Sequence, residues 1–320
     1  MPRMNRRTFI GTTAAATLAT AARAAWAAQP FNAGFAGANP ETPAHKIAHI
    51  GLQLYTVREA MKQDFEGTIA KVAATGYKEV EFAGIFEADG GYFGRSPKEV
   101  RAILDKNGLV GPSCHASYDV VEKRWPEALE AAKVIGHQYI ICPAVEEKQR
   151  AEPDGWKRAA GLFNKAGETS KKAGIRFGYH NHSFEFDPAD SLGGKLPYDF
   201  LLAETDPKLV VMEMDLCWIS VGRKDPHAYF EKYPGRFPLV HIKDWVKDAT
   251  STDGYKLANG EFVKYGGHMA NVGRGSIDWK NLFARAGKAG IKHYFVENDD
   301  PTSAFEDIKI SYNYLNALSF

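Results

Sequence analysis

The stretch Leu209-Val210-Val211-Met212-Glu213-Met214-Asp215 decides the fold: an apolar run that ends in a carboxylate. Three other runs end on a comparable side chain, IRFGYH at Ile175–His180, FPLVH at Phe237–His241 and HYFVE at His293–Glu297. Near-continuous apolar runs of this length read as strands buried on both faces, as in a parallel sheet. When such a sheet closes into a barrel, the carboxyl ends of all its strands meet on one face. His180, Asp215, His241 and Glu297 are then expected to converge, although they are far apart along the chain. Two imidazoles with two carboxylates suit one divalent metal, drawn from Mn, Zn, Fe, Co or Mg.

Strand and helix patterns alternate eight times around this core. The expected strands are His49–Val57, Lys78–Ala83, Leu109–Ala116, His137–Ala144, Ile175–Asn181, Leu209–Ile219, Phe237–Lys243 and His293–Asn298. The expected helices are Phe65–Thr75, Ser96–Asn107, Val121–Ile135, Trp156–Ala173, Tyr198–Glu204, Pro226–Tyr233, Trp279–Ala289 and Ser303–Leu318. Gly76, Gly108, Gly136, Gly174 and Gly290 stand just before strands, where a short helix-to-strand loop needs a residue that tolerates positive φ. Eight such units predict an α/β chain folded as a (β/α)8 TIM barrel over residues 47–320. The insertion Val246–Asn271 breaks the rhythm and reads as a lid over the mouth or a face for a second copy of the chain, a homo-oligomer.

The leading segment reads as an address. Arg6-Arg7-Thr8-Phe9-Ile10 is a twin-arginine pair with an apolar step, followed by an Ala/Thr-rich stretch and by the small-x-small site Ala25-Trp26-Ala27. The stretch is too short to span a membrane, which takes about 20 apolar residues. Residues 1–27 are expected to be a twin-arginine export signal and residues 28–46 a flexible tether, which places the protein in the periplasm with no membrane contact after cleavage. Removing Arg3, Arg6, Arg7 and Arg23 lowers the formal charge from +1 to −3. A mildly acidic mature chain argues against nucleic acid as a partner, because phosphate contacts need a basic face. Hydrophobic content of 44% is that of a globular chain, and Cys114, Cys142 and Cys217 read as small core residues.

Around the four ligand positions, other residues fit a sugar-handling pocket. Glu213 lies two residues before Asp215 on the same strand face and reads either as a partner that orients a ligand or as a deeper carboxylate paired with lysine or arginine. His182 shares a side of the GYHNHSFEF segment with His180, so either imidazole fits the ligand role; His180 falls at the strand end, His182 in the loop beyond. Glu185, at the expected lip, is a candidate acid or base. Lys243 is expected to meet a substrate oxygen or to pair with Asp244 or Glu297. Glu81 and His115 end the second and third strands and are expected to touch substrate hydroxyls. Tyr55, Trp218 and Trp245 supply aromatic walls for sugar stacking, and Gly273-Arg274-Gly275 reads as a turn that brings Arg274 near the substrate.

GLQLYTVRE at Gly51–Glu59, GYHNHSFEF at Gly178–Phe186, LVHIKD at Leu239–Asp244, VGRGSIDW at Val272–Trp279 and VEND at Val296–Asp299 together resemble the xylose-isomerase-like TIM-barrel superfamily. Its members include sugar (phosphate) isomerases and epimerases, inosose dehydratase and relatives of endonuclease IV. The resemblance implies a single divalent metal held from strands five to eight, at His180, Asp215, His241 and Glu297. It also implies a departure: the epimerases carry a glutamate where this chain has His180. An imidazole held by a cation cannot act as that glutamate's base. The chemistry so implied is removal of a proton next to a carbonyl, through an enediolate, on a non-phosphorylated carbohydrate, with Glu185, Lys243 and Glu297 as the catalytic set. Reprotonation gives a metal-dependent isomerase or epimerase; loss of a β-substituent gives a keto-sugar lyase or hydratase. A non-catalytic periplasmic carbohydrate-binding protein is the reading from a different class.

Overall fold

The computed structural model describes residues 45–86, 91–256 and 262–320. The expected signal and most of the expected tether lie outside them. Eight strands form a closed barrel: β1 (Ile50–Gln53), β2 (Glu79–Phe82), β3 (Val110–His115), β4 (Tyr139–Cys142), β5 (Arg176–His180), β6 (Val210–Asp215), β7 (Leu239–Ile242) and β8 (His293–Val296). Every neighbouring pair is parallel, and β8 closes onto β1 with Leu52 opposite Val296. The registers that matter most below set His180 opposite Glu213 and Asp215 opposite His241.

The barrel interior is a plug of Tyr139, Ile141, Val211, Leu239 and Phe295, all buried. Two glycines make room for it. A Cβ on Gly51 would lie 2.6 Å from the Phe295 ring, and one on Gly178 would lie 2.5 Å from Ile141. Outside, helices cover the strands with apolar stripes. Pro97–Lys106 shows why such a segment is helical: Ser96 and Glu99 form a reciprocal capping box, proline sits in the first turn, and Val100, Ile103 and Leu104 share the buried face. All five expected turn glycines have positive φ. His45 and Phe320 exchange backbone hydrogen bonds and tie the two described ends together. No helix among the described residues is long and apolar enough to cross a membrane.

Several boundaries differ from the sequence reading, two of them because a side chain at the strand end starts the next turn or helix. The first strand stops at Gln53, whose side-chain oxygen accepts from Tyr55 N and starts a 3-10 turn over Leu54–Val57. The sixth stops at Asp215, whose carboxylate caps the helix Leu216–Val221. The expected helix Val121–Ile135 is two, Tyr118–Lys123 and Trp125–Ile135. The helix from Trp279 ends at Ala284. The excursion after β7 starts as early as Asp244, where Asp244–Lys247 pairs antiparallel with Gly267–Ala270, and Gly254–Lys256 pairs with Phe262–Lys264 farther out.

Candidate metal centre and active-site cavity

At the carboxyl end of the barrel, the strands deliver a cluster of buried charges. Asp215 caps its helix with Oδ1, which accepts from Cys217 N (2.9 Å) and Trp218 N (2.7 Å). Its Oδ2 accepts no directed hydrogen bond, although Lys243 Nζ lies 3.1 Å away. His241 is held between carboxylates, with Nδ1 2.8 Å from Glu297 Oε2 and Nε2 2.7 Å from Glu81 Oε2. His180 places Nδ1 3.1 Å from Glu213 Oε2 and Nε2 3.8 Å from Asp215 Oδ2. His115 Nε2 lies 2.9 Å from Glu213 Oε2 and 3.4 Å from Glu81 Oε2. Lys243 Nζ is 2.6 Å from Glu297 and 2.9 Å from Asp299.

Two adjoining groups here have the spacing of metal ligands. Asp215, His241 and Glu297 offer atoms within 4.8 Å of one another, and so do His115, His180, Glu213 and His241. Three of the four expected ligands therefore stand in one group, while His180 stands in the other and approaches the first through Asp215. Electrostatics explain why the place calls for a cation. Glu81, Glu213, Asp215 and Glu297 are buried, Asp299 borders them, and Lys243 is the one lysine among them. Burial works against charge on His115, but the Glu81 and Glu213 carboxylates raise it to about 9. His241 is raised well above the usual imidazole range, against burial, by Glu213 and Glu297. Burial lifts the Asp215 carboxyl to about 6 despite Lys243 and His241. Glu297 is held well below the carboxylate range, against burial, by Lys243 and His241. Glu81 Oε1, Glu213 Oε1 and Asp215 Oδ2 are buried with no hydrogen-bond partner. Unpartnered buried oxygens beside imidazoles fit a divalent metal ion well, since buried charge is otherwise costly.

Above the cluster lies a cavity of about 400 Å³, with Tyr55, His115, His180, His182, Trp218, Lys243, Glu297 and Asp299 in its wall. His182 stacks on Phe184 and leans against His180 and Trp218. Its Nδ1 has no hydrogen-bond partner, and burial, then the Lys243 charge, lowers its pKa to about 3. Trp218 faces Tyr265 of the excursion at 4.8 Å between ring centres, so the inserted segment reaches the aromatic wall.

Other expected site residues are placed differently. Glu185 is not at the lip: the 3-10 turn Phe184–Phe186 tucks it in, fully buried and outside the cavity wall. Its carboxylate accepts from Tyr179 Oη (2.6 Å) and His182 N (2.9 Å), and burial raises its pKa to about 7. Glu81 lies beneath the wall, where it accepts from Gln53 Nε2 at 2.9 Å. Arg274 is exposed and away from the cavity. The glycine turn beside it is occupied by the chain's own carboxylate, since Gly273 N donates to Asp244 Oδ2 at 3.0 Å. For the same reason Asp244 is no partner of Lys243: it also binds Trp279 Nε1 and Ile277 N. Trp245 packs against Gly267 of the excursion rather than in the wall. Glu213, read either as a partner that orients a ligand or as a carboxylate paired with lysine or arginine, meets three imidazoles. Gln53 and Asp299 join the network without having been singled out. The run of acids after Glu297 was the available signal for Asp299; nothing in the local pattern marked Gln53.

A family model described as xylose isomerase-like TIM barrel matches residues 69–314. An inosose dehydratase of Lacticaseibacillus casei is 26% identical over 299 residues, covering 85% of this chain and 95% of its own. One of Geobacillus thermodenitrificans is 24% identical, covering 75% and 84%. A solved sugar phosphate isomerase/epimerase of Parabacteroides distasonis superposes with a TM-score of 0.67 at 28% identity, over 87% of this chain and 96% of its own. A solved structure of the IOLI protein, which contains a zinc atom, shares the fold at a TM-score of 0.61 and 12% identity, over 83% and 95%. Relatives and family agree on catalysis, and the protein is an enzyme. With its closed eight-stranded barrel and this match over most of its length, the chain belongs to the xylose isomerase-like TIM barrel family.

Proposed function

We propose that this enzyme is a divalent-metal-dependent lyase that eliminates water, or another β-substituent, from a neutral keto-sugar or keto-polyol. One observation carries the reading: the two imidazoles His115 and His182 in the cavity wall are set for opposite duties. His115 Nε2 lies between two buried carboxylates, which keep a proton on it, whereas His182 has a ring nitrogen without a partner and stays neutral. An elimination needs that inequality. A ring nitrogen of His182 takes the proton from the carbon beside the carbonyl; the C–O bond at the next carbon breaks, and the departing oxygen takes a proton from Nδ1 of the His115 imidazolium and leaves as water, while Nε2–H stays on the buried carboxylates. Two-base epimerisation also needs one neutral and one protonated group, but placed on opposite faces of the same carbon.

Asp215, His241 and Glu297, with His180 beside them, are the residues that would hold the cation. When bound, it would polarise the carbonyl and lower the cost of removing the neighbouring proton. Lys243, clamped by Asp215, Glu297 and Asp299, keeps those carboxylates in place and can orient a substrate oxygen at the wall. It is also, among the described residues, the one lysine or arginine in the wall, and it is already matched by acids, so the cavity disfavours a phosphorylated ligand. A neutral substrate agrees with reading residues 1–27 as a twin-arginine signal and the enzyme as periplasmic.

The dehydratase names of the Lacticaseibacillus and Geobacillus relatives support elimination as the first reading. Isomerisation or epimerisation through the same proton removal is the second, supported by the Parabacteroides relative's name. To separate them, the metal-loaded enzyme is incubated in D₂O with 2-keto-myo-inositol, 3-keto-glucosides and free ketoses. Loss of water or aglycone supports the lyase. Solvent deuterium in an intact, rearranged sugar supports the isomerase and sinks the lyase. No turnover with any of Mn, Zn, Fe, Co or Mg defeats both.

A further inference from the structure

We infer that Glu81 and Glu213 are positioning residues: lying beneath the cavity, they fix which ring nitrogen His241 and His180 turn toward the cation. The inference rests on the cation reading above. An imidazole that donates N–H from one nitrogen leaves the lone pair of the other free for a metal. In His241, Nε2 is against Glu81 Oε2 at 2.7 Å, so Nδ1 is the nitrogen left on the side of Glu297, 2.8 Å away. In His180 the assignment is reversed: Nδ1 is against Glu213 Oε2 at 3.1 Å, and Nε2 faces Asp215 Oδ2. The two rings therefore turn different nitrogens outward, His241 Nδ1 toward Glu297 and His180 Nε2 toward Asp215. That is the expected arrangement if the deep acids set ring orientation.

Both acids are themselves held. Gln53 Nε2 donates to Glu81 at 2.9 Å, and His115 Nε2 lies 2.9 Å from Glu213. Neither acid reaches the cavity wall, and each keeps one buried oxygen without a partner. Such oxygens are costly to bury, and a core built only for stability would replace them with apolar groups. A carboxylate behind a ligating imidazole also raises its basicity, which strengthens the metal bond.

A competing use of the same residues is a second cation held by His115, His180, Glu213 and His241, whose spacing allows it. Calorimetric titration of the chelator-treated full chain with Zn²⁺ decides between them, using wild type, Glu81→Gln and Glu213→Gln. Positioning predicts one Zn²⁺ per chain throughout, with Kd raised about 10–100-fold in each variant. A Kd within twofold of wild type overturns the inference and leaves the cation reading intact. Two Zn²⁺ in wild type falling to one in Glu213→Gln also overturns it, in favour of the second ion. No Zn²⁺ in wild type removes the cation reading and this inference together. Melting of the metal-free proteins separates a structural role, which lowers the transition without changing Kd. Should Glu81→Gln fail to fold, Gln53→Met releases Glu81 while leaving both rings in place, and must weaken Zn²⁺ binding in the same direction.

Discussion

Three strands run through two chemistries within a few residues. Every second position along β6 is Val211, Glu213 and Asp215; along β7 and beyond it is Leu239, His241 and Lys243; along β8 and beyond it is Phe295, Glu297 and Asp299. The first of each trio belongs to the apolar plug, and the others belong to the charged mouth. The backbone is the same in both regions, so the pleat assigns the face and only the side chain changes. In the plug, stabilisation follows the apolar area removed from water and the absence of voids. In the mouth it follows which charge neutralises which, and a missing partner is costly. The plug is therefore expected to be indifferent to metal, and the mouth to depend on it.

Lys243→Met against Leu239→Ala tests that contrast most strongly. Without Lys243, the carboxylates of Asp215, Glu297 and Asp299 lose their common cation. In chelated protein the loss should be about 3–5 kcal/mol by urea unfolding, with much of it recovered on adding saturating Zn²⁺ or Mn²⁺. Leu239→Ala should lose about 2–5 kcal/mol whether or not metal is present. Equal metal dependence in both variants would erase the distinction between plug and mouth.

Glu185 sharpens the comparison, as a carboxylic acid buried beside the mouth but outside the charge network. Burial raises it from 4.5 to about 7. A carboxyl raised in the folded state gives stability that is fully present below about 4.5 and is lost as pH rises through about 7. The wild type should therefore lose on the order of 3 kcal/mol over that window through this group. Glu185→Gln should flatten the slope, so unfolding at pH 5 and pH 8 should show the variant gaining on wild type at the higher pH. A parallel shift of both proteins would mean that Glu185 is already ionised when folded.

The smallest effect is expected at the exposed rim. Arg274→Ala should change stability by no more than about 0.5 kcal/mol and leave kcat/KM of the assay above unchanged. A tenfold fall in kcat/KM would bring Arg274 back to the substrate.

The sequence was most legible where periodicity alone carries the information. The eight strands, the turn glycines and the strand-end positions of His180, Asp215, His241 and Glu297 all follow from alternation and run length. Roles that depend on a neighbour from another strand were less accessible. Glu81 is the last but one residue of its strand, not the last, and the register brings His241 and Gln53 against it, so it lies beneath the wall. Glu185 follows the strand by a few residues, and a single 3-10 turn reverses it into the interior. Arg274 was read from a glycine turn whose donor is satisfied by Asp244, a contact across 29 positions that no local pattern reveals.

The amino-acid order by itself determined a barrel whose strands end in imidazoles and carboxylates, because side-chain alternation and apolar run length are properties of the strand alone. Only the tertiary structure decided which of those groups pair, which nitrogen each histidine offers and which acids are left unpartnered. Closing the barrel brings residues from different strands within 3 to 4 Å of each other, and at that range buried charges depend on the partner that arrives, not on the sequence around them.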